Sequence, residues 1–200
     1  MALLIGIDEA GRGPVAGPVS VGVVAAEEGF DLLAEFPGLN DSKQLSEKKR
    51  EALFVLLEEV AARGDVAFRV EFSSAKMIDN EGIVPAIRAA LGRGLQVLLP
   101  NPSEGKVFLD GSLHAPAEYE QETIIGGDGI VPAIMLASVA AKVVRDRMMV
   151  VEIASQFPLY GFEKHKGYGT KAHYVAITEH GFCEEHRRSF LKNVVGTLGR

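Results

Sequence analysis

Short apolar runs of β type alternate with longer segments of helical period along this chain, and that alternation narrows the fold to the α/β class. LLIGID and SVGVVAA read as two strands joined by a Gly/Pro-rich turn. LNDSKQLSEKKREALFVLLEEVAARG reads as a loop and then a helix. Ser46 is its N-cap, Leu53, Leu56, Leu57 and Val60 form its apolar face, and Gly64 ends it. Val66, Phe68, Val70 and Phe72 alternate as in a half-buried strand. KVFLDGS and ETIIGGD are short apolar runs closed by Gly and Asp, and read as strands that end on carboxylates. NEGIVPAIRAALGRGLQVL and PAIMLASVAAKVVRDRMMVVEIASQF read as helices. GIVPAI occurs at 82–87 and at 129–134, and both copies are expected to be helix starts with Pro in the first turn. From PLYGFEKHKGYGTKAH onward a loop and one or two short helices are expected. The order predicts one α/β domain over 1–155 with a small C-terminal helical extension over 156–200.

Three separate strand ends carry acids: Asp8 with Glu9, Asp110 in FLDGS and Asp128 in IGGDG. Ends of strands in one sheet converge, and four carboxylates brought together repel one another unless a cation neutralises them. Mg²⁺ or Mn²⁺ suits an all-oxygen set, and two such ions about 4 Å apart stabilise both the attacking and the leaving oxygen of a phosphoryl displacement. Each Asp taken alone also reads as ordinary turn chemistry. Directly after the first pair lies Gly11-Arg12-Gly13, a bare backbone beside one guanidinium.

Charge is uneven. The chain carries a net −6, yet residues 160–200 hold seven Lys/Arg against four acids. A basic end on an acidic body is a candidate phosphate-binding surface, and equally a solvated face. Four of the five histidines lie in this tail, without zinc-site spacing, and are expected to be solvated or to face phosphate. The single Cys183 excludes an internal disulfide and fits a cytoplasmic protein. A transmembrane run and a secretion signal are not expected, so no membrane partner is predicted.

GRGPVAG imitates a dinucleotide fingerprint, but a β-branched strand follows it where a helix is required. Neither a nucleophile elbow nor a Walker A motif is present. A glycosidase would need two acids across a sugar cleft and aromatic platforms; Asp8 and Glu9 are neighbours and the chain has no Trp.

GIDEAGRGPVAGPV, LNDSKQLS, FLDGS, GGD, AAKVVRD, FPLYGFEKHKGYGTKAH and HRRSF stand in the order of the ribonuclease HII family, which this chain resembles over nearly its whole length. The resemblance implies a ribonuclease H-like mixed sheet flanked by helices, with residues 1–155 as the catalytic core and 156–200 completing the substrate cleft. It implies metal-dependent endonucleolytic cleavage of the RNA strand of RNA–DNA hybrids, with Mg²⁺ or Mn²⁺ in a two-metal site. It further implies incision 5′ of single ribonucleotides in duplex DNA, giving 5′-phosphates, as ribonucleotide excision repair requires. The family's four carboxylates fall on Asp8, Glu9, Asp110 and Asp128. Its ribonucleotide-sensing loop falls on Gly11, Arg12 and Gly13, and its conserved tyrosine on Tyr168. The sister family, ribonuclease HIII, usually has Lys at the position of Arg12.

Ser42, Lys43 and the basic tail are expected to grip phosphates, although Ser42 also reads as turn chemistry. Two departures stand out. Gly129 and Ile130 follow GGD where the family commonly has Lys, and LASVA stands where A-A-S-I-L is usual. The first leaves Asp146 as an alternative fourth ligand, although a mid-helix position favours a structural ion pair there. A non-catalytic hybrid-binding protein is the alternative function. A monomer is expected. No sliding-clamp partner is predicted, because VVGTLGR at the end offers no long apolar-aromatic peptide.

Overall fold

The computed structural model describes residues 2–192. Five strands form one mixed sheet: β1 (Leu3–Ala10), β2 (Val19–Glu27), β3 (Val66–Ser73), β4 (Gly105–Asp110) and β5 (Glu120–Ile124). Their order is β3-β2-β1-β4-β5. β1–β2 and β2–β3 pair antiparallel, whereas β1–β4 and β4–β5 pair parallel. The helices are α1 (Leu32–Glu35), α2 (Glu47–Arg63), α3 (Ala75–Glu81), α4 (Ile83–Leu98), α5 (Pro132–Arg147), α6 (Ala154–Gln156), α7 (Phe162–His165) and α8 (Lys171–His180). A π-helical stretch, Met148–Ile153, joins α5 to α6.

Both sheet faces are covered, which explains why β2 is apolar nearly throughout. Val21 and Val23 point to α4, where Ile87, Leu91 and Leu95 meet Ile5, Ile7, Val107 and Leu109. Val24 and Ala26 point to the other face, against Leu57 and Val60 of α2 and Leu136 and Ala140 of α5. Helix α5 lies almost on the sheet backbone. A Cβ on Gly6 would stand 2.1 Å from the Ala133 carbonyl carbon, and one on Gly22 would stand 2.1 Å from the Ala137 oxygen. Glycines under an Ala-rich helix permit that approach. The extension has its own cluster, in which Tyr160, Phe162, Ile177 and Leu191 pack with Val15, Ala16, Met149 and Ile153.

Ser46 caps α2 through Lys49 N–H, and Gly64 closes it in the left-handed conformation. The buried face includes Phe54, edge-on to Phe68, while Leu56 is only partly buried. The helix expected from Asn80 onward is two helices, broken at Gly82, whose φ of 93° is open only to glycine. Pro85 is then the third residue of α4, whereas Pro132 is the first of α5. The tail histidines correct the expectation: His173 and His186 are buried. Among the described residues, no helix is long and apolar enough to cross a membrane. Arg200 and the terminal VVGTLGR lie outside the described residues.

Candidate active site

Parallel pairing of β1 with β4 sets Ile7 opposite Leu109, so the next residues, Asp8 and Asp110, stand side by side at the same sheet end. Asp8 is buried, and its Oδ1 accepts the Glu9 N–H at 2.8 Å. Burial first, and the neighbouring Glu9 second, push its carboxyl up to about 8; the Ser138 hydroxyl and the Glu9 N–H act the other way. Ser42 is buried too, with its Oγ 2.6 Å from Ser138 Oγ. The serine pair thus backs Asp8, and Ser42 faces Ser138 rather than solvent.

Asp128 does not end a strand. Beyond β5, Gly126 turns left-handed at φ 70° and starts a one-turn 3-10 helix, Gly127–Gly129, that carries Asp128. Its backbone N–H donates to Asp110 Oδ1 at 3.3 Å, which ties the two acids together. Its Oδ2 accepts from Lys43 Nζ at 2.7 Å. Glu9 Oε1 accepts from Arg12 Nε at 2.7 Å. Two of the four acids are therefore paired with cations of the chain itself. Among the described residues no three His, Cys, Asp or Glu side chains close around one point.

A cleft of about 320 Å³ is lined by Asp8, Glu9, Asp110, residues 11–13, Ser42, Lys43 and Tyr168. It brings together every site residue expected from the sequence except Asp128, which reaches it through Lys43 and Asp110. Arg50, Ser138 and Lys142 also line it and were missed. Arg50 donates to the Ser42 carbonyl at 2.8 Å and holds the loop that carries Lys43. Lys142 pairs with Asp146 at 3.0 Å and lies 5.6 Å from the Tyr168 ring centroid. The available signal was spacing: Ser138, Lys142 and Asp146 recur every four residues along a helix that is apolar over its first ten residues apart from Ser138.

The loop after β1 is held from behind by two arginines with no exposed surface. Arg145 donates to Pro18 O at 2.8 Å, Lys166 O at 3.1 Å and Ala16 O at 3.2 Å. Arg187 donates to Pro14 O at 2.8 Å, Gly17 O at 2.9 Å and Arg12 O at 3.2 Å. Burial pulls both guanidinium groups below their ordinary range, Arg187 to about 9, which leaves Arg187 charged at neutral pH. Arg187 is therefore a strut of the loop and not part of an exposed basic surface. Gly11 has φ 89°, and a Cβ there would stand 2.1 Å from Arg145 Nε. Gly13 is different: a Cβ there meets nothing within 4 Å. One glycine is demanded by the fold and the other leaves open space in the cleft.

The family model described as Ribonuclease HII matches residues 5–193. Curated proteins named Ribonuclease HII from Burkholderia thailandensis and Burkholderia pseudomallei are 46% identical over 188 residues, covering 94% of this chain and 83% of theirs. The crystal structure of the ribonuclease H2 from Pyrococcus horikoshii OT3 superposes with a TM-score of 0.76 at 23% identity, covering 99% of each chain. The ribonuclease HII of the PCNA complex from Archaeoglobus fulgidus superposes at 0.70 with 24% identity, covering 92% of this chain and 93% of that one. Bst-RNase HIII in complex with Mn²⁺ superposes at 0.68 with 15% identity, covering 98% of this chain and 70% of that one. The fold is ribonuclease H-like, and the chain belongs to the ribonuclease HII family.

Proposed function

We propose that this chain incises the ribonucleotide strand of RNA–DNA hybrids and of DNA duplexes containing single ribonucleotides, on the 5′ side of the ribonucleotide, leaving a 3′-OH and a 5′-phosphate. Ribonuclease H activity itself follows from family membership. The observation that carries the finer reading is the placement of the bare loop 11–13 in one cleft with Asp8, Glu9, Asp110 and Tyr168. A backbone polar group that reaches a sugar can hydrogen-bond the 2′-OH, the one group separating RNA from DNA at that nucleotide. The open side of Gly13 allows that reach.

Asp8, Glu9, Asp110 and Asp128 are proposed as the ligands of two divalent cations. The donor set is all carboxylate oxygen, which suits Mg²⁺ or Mn²⁺. Burial and the neighbouring Glu9 raise the Asp8 pKa, as expected where a carboxylate lacks a counter-charge, while Arg12 pairs with Glu9 and Lys43 with Asp128. The Mn²⁺ complex of the ribonuclease HIII neighbour supports the same choice. When bound, the cations supply water activation and stabilisation of the leaving 3′ oxygen. Glu9 and Asp128 would hold the metals in place of their present partners Arg12 and Lys43, which would then be free to grip phosphates, Arg12 with its paired donors. Tyr168 packs on the sugar beyond the scissile bond, and Lys142 beside its ring steadies it. Within residues 156–200, the described part, 156–192, is assigned to completing this cleft, supported by Tyr168 in its lining and by the bridge of His186 to Ala16.

The test is an RNA–DNA hybrid incubated with Mg²⁺ and with chelator. Cleavage restricted to the Mg²⁺ sample supports the enzyme. Tight binding with no cleavage under either Mg²⁺ or Mn²⁺ supports the alternative, a hybrid-binding module.

A further inference from the structure

Two imidazoles sit in the core of the extension, and their hydrogen bonds leave them one arrangement of protons. His173 has no exposed surface and His186 is 2% exposed. Their Nε2 atoms are 3.1 Å apart. Two ring nitrogens bond only when one is protonated and the other bare. The Cys183 backbone N–H donates to His186 Nδ1 at 2.9 Å, so that nitrogen is bare and His186 carries its proton on Nε2. His173 Nε2 then accepts, and the His173 proton lies on Nδ1, 2.9 Å from the Tyr168 carbonyl. The chain of donors runs in one direction, from Cys183 through His186 and His173 to the Tyr168 backbone. Both rings are neutral, in keeping with burial that pushes each down to about 4, helped by repulsion from His165 at His173 and from His173 at His186.

The neighbours fit the same pattern. The Gly167 N–H donates to His165 Nδ1 at 3.3 Å, and His165 Nε2 lies 2.8 Å from the Tyr160 carbonyl. The His165 ring stacks on His173 with centroids 4.3 Å apart. At the other end, the His186 backbone bridges Ala16, and the Arg187 N–H donates to Val15 O at 2.8 Å. The dipeptide His186-Arg187 therefore reaches two elements of the cleft. The imidazole leads to Tyr168 through His173, and the guanidinium holds Arg12, Pro14 and Gly17 carbonyls. Buried polar rings are costly unless their hydrogen bonds are met, and these are met in a way that fixes one distance.

We propose that His173 and His186 are positioning residues for Tyr168: their directed hydrogen-bond chain sets Tyr168 against the Gly11-Arg12-Gly13 loop, so that the two grip one ribonucleotide between them. The inference rests on the reading of Tyr168 as a substrate contact.

The test separates the two ring nitrogens. His173→Asn keeps an amide donor near the position of Nδ1, and His173→Gln keeps a polar group near Nε2 but loses that donor. His173→Gln should lower the single-turnover incision rate at saturating protein by roughly tenfold, and His173→Asn by less than about threefold. In a Tyr168→Ala background His173→Gln should cost nothing further, because the side chain it positions is gone. Equal losses for Asn and Gln, or losses that multiply with Tyr168→Ala, would make the histidines ordinary packing and overturn the inference alone. Full activity of Tyr168→Ala would overturn the Tyr168 reading and the inference with it, and leave the carboxylate assignment standing. An independent check needs no variant. Nitrogen-15 spectra of the imidazoles in the intact protein should show His173 protonated on Nδ1 and His186 on Nε2. The opposite tautomers would overturn the inference.

Discussion

Lys43, in the cleft lining, pairs directly with Asp128 behind it, Nζ 2.7 Å from Oδ2. The lysine side chain is 74% exposed and the aspartate 9%, so a mobile cation neutralises a nearly fixed acid. The hydrogen bond to Asp128 in turn raises the Lys43 pKa. With its lysine end open to water, a pair of this kind is worth on the order of 1 kcal/mol, small enough for a divalent cation to displace it.

Lys43→Met is therefore expected to act in opposite directions on two ligands. Titration calorimetry with Mn²⁺ alone should show tighter binding by a few-fold, since about 1 kcal/mol of competition is removed. Duplex binding should weaken and its logarithmic salt slope should fall by about 1, one phosphate contact. Unchanged Mn²⁺ affinity would mean that Lys43 does not compete at Asp128.

Removing the carboxylates tests the ligand set. Asp8→Asn, Asp110→Asn and Asp128→Asn should each lose on the order of a hundredfold or more in cleavage rate with the fold kept. Asp146→Asn should chiefly lower the melting temperature, because it strips Lys142 of its partner at 3.0 Å. A folded, inactive Asp146→Asn beside an active Asp128→Asn would transfer the ligand role to Asp146.

The pH dependence of stability has two opposed parts. Asp8 holds its proton more tightly in the folded chain, at about 8 against 3.8, so metal-free stability falls as pH rises through that window. The slope approaches one proton, roughly 1.4 kcal/mol per pH unit. His173 and His186 do the reverse: they bind protons more weakly when folded, at about 4 against 6.5, so stability falls as pH drops through that range. Melting in chelator between pH 6.5 and 8 isolates Asp8. Asp8→Asn should melt higher than the parent there, and a saturating divalent cation should abolish the parent's decline. A parent that gains stability over this window would contradict the raised Asp8 pKa.

The two loop glycines should part company. Gly11→Ala places a methyl into Arg145 at a positive φ, and should destabilise by about 2 kcal/mol or more. Gly13→Ala meets open space and should melt normally. It should nevertheless lose incision at an embedded ribonucleotide, where the added methyl meets the sugar. Normal melting of both variants would remove the structural distinction between them.

The sequence made some of this legible for local reasons. The apolar runs stop on Asp8 and Asp110; β4 does end at Asp110, whereas β1 continues in pairing to Ala10, and parallel pairing of the two strands makes the acids neighbours. The α2 caps, Ser46 and Gly64, act through their own nearest backbone groups. Asp128 was found as a residue but misplaced as a strand end, because the turn at Gly126 depends on a backbone angle that no apolar pattern reveals. Arg145 and Arg187 were hidden for a different reason. Arginine reads as surface charge, and only the folded loop, whose carbonyls meet Arg145 of α5 and Arg187 of the returning extension, lets two guanidinium groups be buried. The same return buries His173 and His186, whose roles depend on partners 13 residues apart.

The central claim is that the loop beside the carboxylates reads a 2′-OH. The most direct measurement compares three duplexes that differ at one nucleotide: ribo, 2′-deoxy and 2′-O-methyl, each with Mg²⁺ and equal protein. The account predicts a nick on the 5′ side of the ribonucleotide alone, because the deoxy sugar lacks the hydroxyl and the methyl blocks it. Nicking of the all-deoxy duplex at a comparable rate would contradict 2′-OH sensing and leave a metal nuclease without sugar discrimination.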